Sequence, residues 1–228
     1  MRLLAIDTAL EACAAAVLDT TGGGIVAHES QAMVRGHAEA LMPLIQRVMR
    51  ASRLAFSDLD RVAVTVGPGS FTGLRVGIAA ARGIGLAAGK PVVGLTTLAA
   101  FAAPFIAEDD SKPVVSAIDA RHAHVYLQVY GSAGRVLVAP RLASLHEAAL
   151  RASSAGAPRL AGTAAELLAT AWPAGERPPS AVDPRRAPDI AWVARLGVIA
   201  QESGAPPKPL YLRAPDAQPQ GMNHLPRR

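Results

Sequence analysis

The sequence is poor in cysteine, aromatic residues and lysine. Of its 228 residues one is cysteine, 4% are aromatic, and lysine supplies only three of the 23 basic side chains, the rest being arginine. A single cysteine, Cys13, excludes an internal disulfide and a zinc site built from cysteines. Its place in an alternating apolar segment predicts a small buried core residue. With 50% hydrophobic residues, the core must be built mainly from Ala, Val, Leu and Ile.

Long hydrophobic runs are also missing. The longest run without a charge, 91–107, is shorter than the roughly 20 residues that a helix needs to cross a bilayer, and Pro104 interrupts it. Arg2 and Asp7 near the N-terminus leave no long apolar region, so no secretory signal peptide is predicted. The net charge of +5 comes from scattered arginines, which indicates a solvated surface more than an RNA-binding patch. We therefore expect a cytoplasmic protein without a membrane segment.

The most distinctive stretch reads as a strand at 62–66, a Gly-Pro-Gly turn at 67–69 and a helix over 72–89. Ser70 or Thr72 can cap that helix. A glycine turn before a helix N-terminus offers backbone N–H groups to an anion, although the spacing is not that of a Walker A loop. The turn alone is thus a weak signal for phosphate binding.

The helix carries a ridge of small residues: positions 73, 77, 81, 85 and 89 are Gly, Gly, Ala, Gly and Gly. Each glycine lowers the stability of a helix by about 1 kcal/mol relative to alanine, so we expect these small residues to serve a packing role. Close packing on the strand beneath is the favoured one, and a partner helix is the alternative.

The chain reads as two similar halves, with a polar break near residue 109. The motif Ala-Ile-Asp ends a strand at Asp7 and again at Asp119, and each half shows three strands followed by helix, strand and helix. This predicts a duplicated α/β fold, with an N-terminal half over 1–108 and a C-terminal half over 109–228. The predicted strands cover 3–8, 12–19, 25–31, 62–66, 91–95, 114–119, 122–130, 135–140 and 159–162. The predicted helices cover 37–52, 72–89, 97–107, 144–153, 163–169 and 188–203. A proline-rich connection at 173–188 and an extended, partly disordered tail at 204–228 complete the chain.

Polar residues at strand ends mark a candidate cleft between the halves. Asp7 ends the first strand, where a carboxylate can hold a Mg²⁺-bound water under a nucleotide phosphate; an ordering role inherited from the duplication is equally compatible with its repeat at Asp119. The candidate phosphate site consists of Asp7, Thr8, Gly67, Gly69, Ser70 and Gly73. His122 and His124 share a strand face but lack a third ligand in sequence, so we expect surface residues rather than a metal pair.

Four segments resemble one family. Val-Thr-Val-Gly-Pro-Gly-Ser-Phe-Thr-Gly-Leu-Arg-Val-Gly at 64–77, Gly-His-Ala-Glu-Ala-Leu-Met-Pro at 36–43, Ile-Asp-Ala-Arg at 118–121 and Pro-Leu-Tyr-Leu-Arg at 209–213 are similar to the TsaB (YeaZ) family. These bacterial tRNA threonylcarbamoyladenosine biosynthesis proteins are paralogues of the catalytic subunit TsaD. The resemblance covers nearly the whole chain and implies the actin-like/sugar-kinase/Hsp70 ATPase (ASKHA) architecture.

The resemblance also implies a function. It implies a subunit that binds and activates TsaD while threonylcarbamoyl is attached to adenosine 37 of tRNAs that read codons beginning with A. TsaD as heterodimer partner, TsaE in a larger complex, tRNA contacted through the complex, and a homodimer of the isolated chain are the implied partners. A nucleotide at the cleft or at the partner interface is the only cofactor considered.

The catalytic motif of the family is absent. Catalytic relatives carry Asn-His-x-x-x-His after the strand that follows the glycine-rich helix, and the two histidines ligate a metal. Here the ligand positions hold Thr97 and Phe101, which are unsuited to a transition metal. We therefore expect no catalytic residue and no bound metal. The alternatives left open are a nucleotide- or metal-dependent enzyme, either transferase or peptidase, and a direct tRNA-binding module.

Apolar stripes on two helices of the first half predict the partner surface. The expected interface residues are His37, Leu41, Ile45, Val48, Leu74 and Ile78, with Leu86 adding apolar area. His37, together with Glu39, is expected to cap its helix as well. The alternative is that both stripes face their own sheet, as most helix stripes do.

Overall fold

The computed structural model describes residues 1–202 and 204–213. Its strands are β1 (Arg2–Asp7), β2 (Ala12–Asp19), β3 (Gly24–Ala32), β4 (Arg61–Gly67), β5 (Val92–Thr96), β6 (Val114–Asp119), β7 (His124–Tyr130), β8 (Val136–Ser144), β9 (Arg159–Ala161) and β10 (Ala181–Asp183). Its helices are α1 (His37–Ser52), α2 (Phe71–Ala88), α3 (Thr97–Glu108), α4 (Leu145–Ser153), α5 (Ala165–Thr170) and α6 (Ile190–Ile199), with short 3-10 turns at Phe56–Asp58 and Ser132–Gly134.

Two five-stranded sheets have the same topology. The first has the order β3-β2-β1-β4-β5 and the second the order β8-β7-β6-β9-β10. In each sheet the first three strands pair antiparallel, and the central strand then pairs parallel with the next strand along. The predicted duplicated α/β fold is confirmed. Each half carries one strand and one helix more than the predicted repeat unit.

Helices cover both faces of the first sheet. On one face α1 and α2 pack over apolar side chains of β1 and β4, including Leu4, Ile6 and Val64. On the other face α6 packs over Leu3 and Ala5. In the second half, α4 and α5 cover one face of the sheet, and α3 lies between the two sheets. The carboxyl ends of β1, β4 and β5 therefore meet the starts of α2 and α3.

The last helix returns to the first sheet. Gly197 in α6 lies so close that a Cβ there would come 2.6 Å from the Cβ of Ala63. Arg61 at the start of β4 holds the helix end: its Nη1 donates to the carbonyls of Gly197, Val198 and Ala200 at 2.9, 3.3 and 2.8 Å. Its Nη2 pairs with Glu202 at 2.7 Å. One guanidinium thus satisfies several of the carbonyls that a helix leaves without partners at its C-terminus.

We expect Arg61→Ala to lower the free energy of unfolding by about 2–3 kcal/mol, because a hydrogen bond from a charged group to a partly buried carbonyl is worth roughly that much. The matched control is Arg47→Ala, which removes a bidentate pair with Glu29 whose arginine side chain is 48% exposed and should cost at most about 1 kcal/mol. Urea unfolding of the two variants measures the difference. Equal losses would show that Arg61 contributes no more than a surface pair.

Most predicted elements lie within two residues of the observed bounds, with four differences, one of which is that α6 ends at Ile199 and not at residue 203. The helix at 37–52 was expected to begin or bend at Pro43; α1 begins at His37 and contains Pro43, so a start at Pro43 is wrong, and a bend there stays a prediction. The strand β10 lies inside the stretch expected to be a surface connection, and β8 extends to Ser144. An extended tail was expected over 204–228, and residues 214–228 lie outside the part of the chain that the structure describes. No helix in the described part of the chain is long and apolar enough to span a membrane.

Candidate functional site

The glycine turn between β4 and α2 is built for close packing. Gly67 has a φ of +116°, a conformation that glycine adopts without strain, and the Gly67–Pro68 peptide is cis. Ser70 caps α2 as predicted, its side chain accepting a hydrogen bond from the amide of Gly73 at 3.3 Å. The helix therefore begins at Phe71, directly against the end of the first sheet.

The turn after β1 lies on this glycine turn. The amide of Ser70 donates to the carbonyl of Ala9 at 2.7 Å, and the hydroxyl of Thr8 donates to the carbonyl of Gly73 at 2.7 Å. A Cβ on Gly69 would overlap the carbonyl of Ala9, and a Cβ on Gly73 would overlap that of Thr8. The glycines are therefore needed so that two backbone turns can touch.

Asp7 lies beneath these turns and is fully buried. Its Oδ1 accepts hydrogen bonds from the hydroxyl of Thr65 at 2.5 Å and from the amide of Ala9 at 3.1 Å. Its Oδ2 has no hydrogen-bond partner among the described residues. Burial raises the pKa of the Asp7 carboxyl above its ordinary value of 3.8, with the two hydrogen bonds opposing that shift. The protonated form is therefore favoured relative to an exposed aspartate.

The six residues predicted for a phosphate site thus lie together, but they bind one another. Asp7 and Thr8 are 0% and 1% exposed, and the amide of Ser70 already donates a hydrogen bond to the carbonyl of Ala9. A phosphate at the turn would require these contacts to break. Nucleotide binding here stays a prediction that the geometry of the turns does not favour.

His37 does not cap α1. The N-cap is Gly36, with a φ of +88° and no side-chain cap, so the capping prediction is wrong. The His37 side chain is instead buried, and its Nε2 lies 3.0 Å from the carbonyl of Leu10. Because a carbonyl only accepts, Nε2 carries the proton in this contact. The histidine thus ties the start of α1 to the turn after β1.

The predicted interface stripe faces inward. Leu41, Ile45, Val48, Leu74 and Ile78 are at most 4% exposed and belong to the core between the helices and the first sheet. The expectation that they are exposed for a partner is wrong, because the apolar sheet face beneath takes the widest apolar stripe of each helix. The small-residue ridge lies beside that stripe: Gly73 and Gly77 pack on Thr8, and Gly85 packs on Val92. Packing inside the domain, the favoured reason for the ridge, is confirmed for these glycines, whereas a Cβ on Gly89 would have nothing within 4 Å and Gly89 instead ends the helix with a φ of +66°.

A different set of residues on α2 is exposed. We call it the outer face of α2, and it consists of Ala79, Arg82, Gly83, Leu86 and Ala87. Leu86 is 87% exposed, and a Cβ on Gly83 would have nothing within 4 Å. A groove of about 520 Å³ lies on the α1 side, lined by Met42, Phe56, Ser57, Ala80, Gly83, Ile84, Ala87 and Ala88. A second groove of about 630 Å³ lies on the other side, and Arg82, Gly83, Leu86, Lys90 and Glu202 are among its lining residues.

The segment 209–213 docks beside α2. The amide of Leu210 donates to the carbonyl of Val66 at 2.7 Å. The ring of Tyr211 stacks on Phe71 with 5.7 Å between ring centroids, and its hydroxyl accepts from Nε of Arg75 at 3.1 Å. Arg75 also lies 3.7 Å over the Phe71 ring. Sequence reasoning assigned no role to this docked segment, although the Pro-Leu-Tyr-Leu-Arg motif was the signal that could have found it.

The residues at the family's metal positions are part of the core. Thr97 and Phe101 are both 0% exposed, and Phe101 packs with Leu98 and Ile118 between the two sheets. Within residues 1–202 and 204–213, no group of three His, Cys, Asp or Glu side chains could hold a metal ion. Cys13 is buried as predicted, and burial raises the pKa of its thiol to about 11, which favours the unreactive thiol over the thiolate at neutral pH.

Comparisons with known proteins agree with these observations. The family model described as TsaD: tRNA N6-adenosine threonylcarbamoyltransferase matches residues 13–171. The chain is 38% identical over 130 residues to the tRNA threonylcarbamoyladenosine biosynthesis protein TsaB of Escherichia coli K12, covering 57% of this chain and 55% of that protein. The chain thus spans about half the length of the curated TsaB relatives it matches.

Two further relatives match almost from end to end. An uncharacterized protein of Mycobacterium tuberculosis H37Rv is 34% identical over 217 residues, which cover 95% of this chain and 94% of that protein. The solved structure of YeaZ from Pseudomonas aeruginosa superposes with a TM-score of 0.79 at 29% identity, covering 92% of this chain and 99% of that one. The chain belongs to the TsaD family, in its TsaB (YeaZ) branch.

Proposed function

We propose that this chain is a non-catalytic subunit in the biosynthesis of tRNA threonylcarbamoyladenosine, which binds and activates a TsaD-type partner. The modification in question is that of adenosine 37 in tRNAs that read codons beginning with A. Relatives in its branch are named for this pathway. The observation that carries the non-catalytic part is the burial of Thr97 and Phe101, because side chains packed in the core at both ligand positions leave no place for the family's metal.

The outer face of α2 is the surface proposed for the partner. This face carries small residues at Ala79, Gly83 and Ala87, so the backbone of another helix can approach it closely. Leu86 projects from it and is 87% exposed, so it offers apolar area that a partner can bury. The grooves on both sides of the helix, about 520 and 630 Å³ in volume, can accept side chains from a partner.

We expect Leu86→Glu to weaken binding to a TsaD-type partner at least tenfold while the chain stays folded, because the new carboxylate would be buried in an apolar contact. The matched control is Leu150→Glu, the same change at a leucine on α4 that is 47% exposed. Calorimetric titration of the partner into each variant measures binding, and thermal unfolding confirms the fold. Unchanged binding of Leu86→Glu would remove the outer face of α2 from the interface.

The function itself is tested by reconstitution. Threonylcarbamoylation of tRNA by a TsaD-type enzyme is measured with the chain, without it, and with Leu86→Glu. We expect product only when a binding-competent chain is present. Formation of the product by the chain alone, or peptide hydrolysis by it, would establish the enzyme alternative instead. TsaE in the complex, self-association of the isolated chain and a cytoplasmic location remain predictions from the resemblance.

A further inference from the structure

The segment that follows α6 is tied to the first sheet. We call residues 207–213 the strap. Pro207 is buried, and a Cβ on Gly94 in β5 would lie 3.1 Å from the Cβ of Pro207. The amide of Leu210 donates to the carbonyl of Val66 in β4 at 2.7 Å. The strap is therefore attached to two neighbouring strands of the first half.

The other end of the strap reaches the second half. Nη1 of Arg213 donates to the carbonyl of Ala120 at 3.4 Å, and Ala120 directly follows Asp119, the last residue of β6. Between these two attachments the carbonyl of Leu210 lies against the glycine turn, because a Cβ on Gly67 would come within 3.0 Å of it. The strap thus crosses the predicted cleft from the glycine turn to the strand end that carries Asp119.

Tyr211 fixes the strap to α2. Its ring stacks on Phe71, and its hydroxyl accepts from Nε of Arg75 at 3.1 Å. Stacked aromatic rings and a hydrogen bond from a charged donor are both stronger than an ordinary surface contact. Tyr211 therefore holds the strap on the first half, while Arg213, two residues later, holds it on the second.

The turn that receives Arg213 has an unusual backbone. Three consecutive residues at 121–123 have φ angles of +63°, +51° and +55°, and this left-handed conformation is unfavourable for residues with a Cβ. Such a conformation persists only where surrounding contacts maintain it. The hydrogen bond from Arg213 to Ala120 is one of those contacts, so loss of the strap should loosen this turn.

We propose that the strap is a latch between the two halves of the chain. While it is docked, it closes the cleft over the glycine turn and holds the halves in one relative orientation; when it undocks, that orientation can change. Three segments with separate sequence motifs, 64–77, 118–121 and 209–213, meet at this latch. The inference concerns the chain alone and is independent of the proposed function.

Hydrogen exchange of the full chain tests whether the strap couples the halves. Tyr211→Ala removes contacts to the first half, yet we expect it to accelerate exchange of the Ala120 amide in the second half at least about tenfold. Arg213→Ala removes the contact to the second half and should accelerate exchange of the Leu210 amide, which bonds to the first half, by a similar factor. Tyr211→Phe keeps the stacked ring without the hydroxyl and should lie between Tyr211→Ala and the unchanged chain.

The matched control for Arg213→Ala is Arg151→Ala. Arg151 also lies in the second half, but it pairs with Glu147 of its own helix at 2.9 Å. Its removal should leave exchange of the Leu210 and Ala120 amides unchanged. The amides of β1 serve as the reference for global stability in every variant.

Spin labels measure the relative orientation of the halves. They are attached at Val26→Cys on β3 and Leu150→Cys on α4, whose native side chains are 46% and 47% exposed, whereas Cys13 is buried. The labelled chain is diluted with unlabelled chain so that only distances within one chain count. We expect one narrow distance distribution for the docked latch, and a broader or second one for Tyr211→Ala and for Arg213→Ala.

The outcomes distinguish a latch from a local attachment. If Tyr211→Ala accelerates only the Leu210 amide, the strap is a local attachment to α2 and the latch is wrong. If exchange in β1 rises as much as that of Ala120, the variant has lost global stability, and the distance distribution of the folded chain decides. A distribution that stays unchanged in both variants overturns the proposal in every case.

Discussion

Gly73→Ala should lower the free energy of unfolding by about 2–3 kcal/mol, whereas Gly83→Ala, ten residues later on the same helix, should raise it by up to about 1 kcal/mol. A Cβ on Gly73 would overlap the backbone carbonyl of Thr8, but a Cβ on Gly83 has nothing within 4 Å. Helix propensity favours alanine at both sites, so a loss at Gly73 isolates the packing of α2 on the turn after β1.

Chemical denaturation of the two variants measures this difference. The Thr8 carbonyl cannot move away cheaply, because the neighbouring Ala9 carbonyl accepts the Ser70 amide at 2.7 Å and the Thr8 hydroxyl donates to Gly73. If Gly73→Ala were as stable as Gly83→Ala, the two turns would not be in the close contact that the structure describes. Activity need not be measured, since the prediction concerns the fold alone.

The duplication could be predicted from the sequence because it rests on local signals. The Ala-Ile-Asp motif ends both β1 and β6, and each of these strands then pairs antiparallel with the following strand. Alternating apolar residues, glycine-rich turns and capping residues such as Ser70 and Thr96 act within a few positions of the elements they define. The element bounds were therefore accessible without knowledge of any long-range contact.

The inward direction of the stripe was predicted only as the alternative to a partner surface. Helical spacing identifies that Leu74 and Ile78 share a face with one another, but it does not say what covers that face. Of the 18 residues of α2, 15 are apolar or small, so only the position of the sheet decides which part of the helix stays exposed. Of Leu74, Ile78 and Leu86 on α2, Leu86 alone remains exposed.

Contacts between distant segments were also missed. The return of α6 to the first sheet depends on Arg61 reaching carbonyls 136 to 139 residues away. The docking of Tyr211 on Phe71 and Arg75 crosses a similar separation. Neither follows from periodicity or composition, because a single arginine or tyrosine in sequence carries no mark of its partner. The motifs at 64–77 and 209–213 were recognised separately, and the structure shows that they touch.

Asp7 is expected to make the stability of this chain depend on pH. Burial raises the pKa of its carboxyl in the folded protein, so the folded state binds the proton more tightly than the unfolded state. Its favourable contribution is complete below the ordinary pKa of 3.8 and is lost as the pH rises through the folded value. Asp7→Asn removes this dependence, and Oδ1 of Asn can still accept from Thr65 and Ala9. The variant should therefore gain stability relative to the unchanged chain as the pH rises from 4 to 8.

Asp7→Ala provides the contrast, because it leaves the Thr65 hydroxyl and the Ala9 amide without their acceptor. Two unsatisfied buried donors should cost about 3 kcal/mol or more at every pH. Unfolding free energies of the three proteins across the pH range measure both effects, and referring each variant to the unchanged chain removes the titration of all other groups. If the unchanged chain instead gained stability over Asp7→Asn with rising pH, Asp7 would be an ionised carboxylate held by a positive group. That group would be His37, whose charge already opposes the effect of burial on the pKa of Asp7, or a cation bound in the cleft.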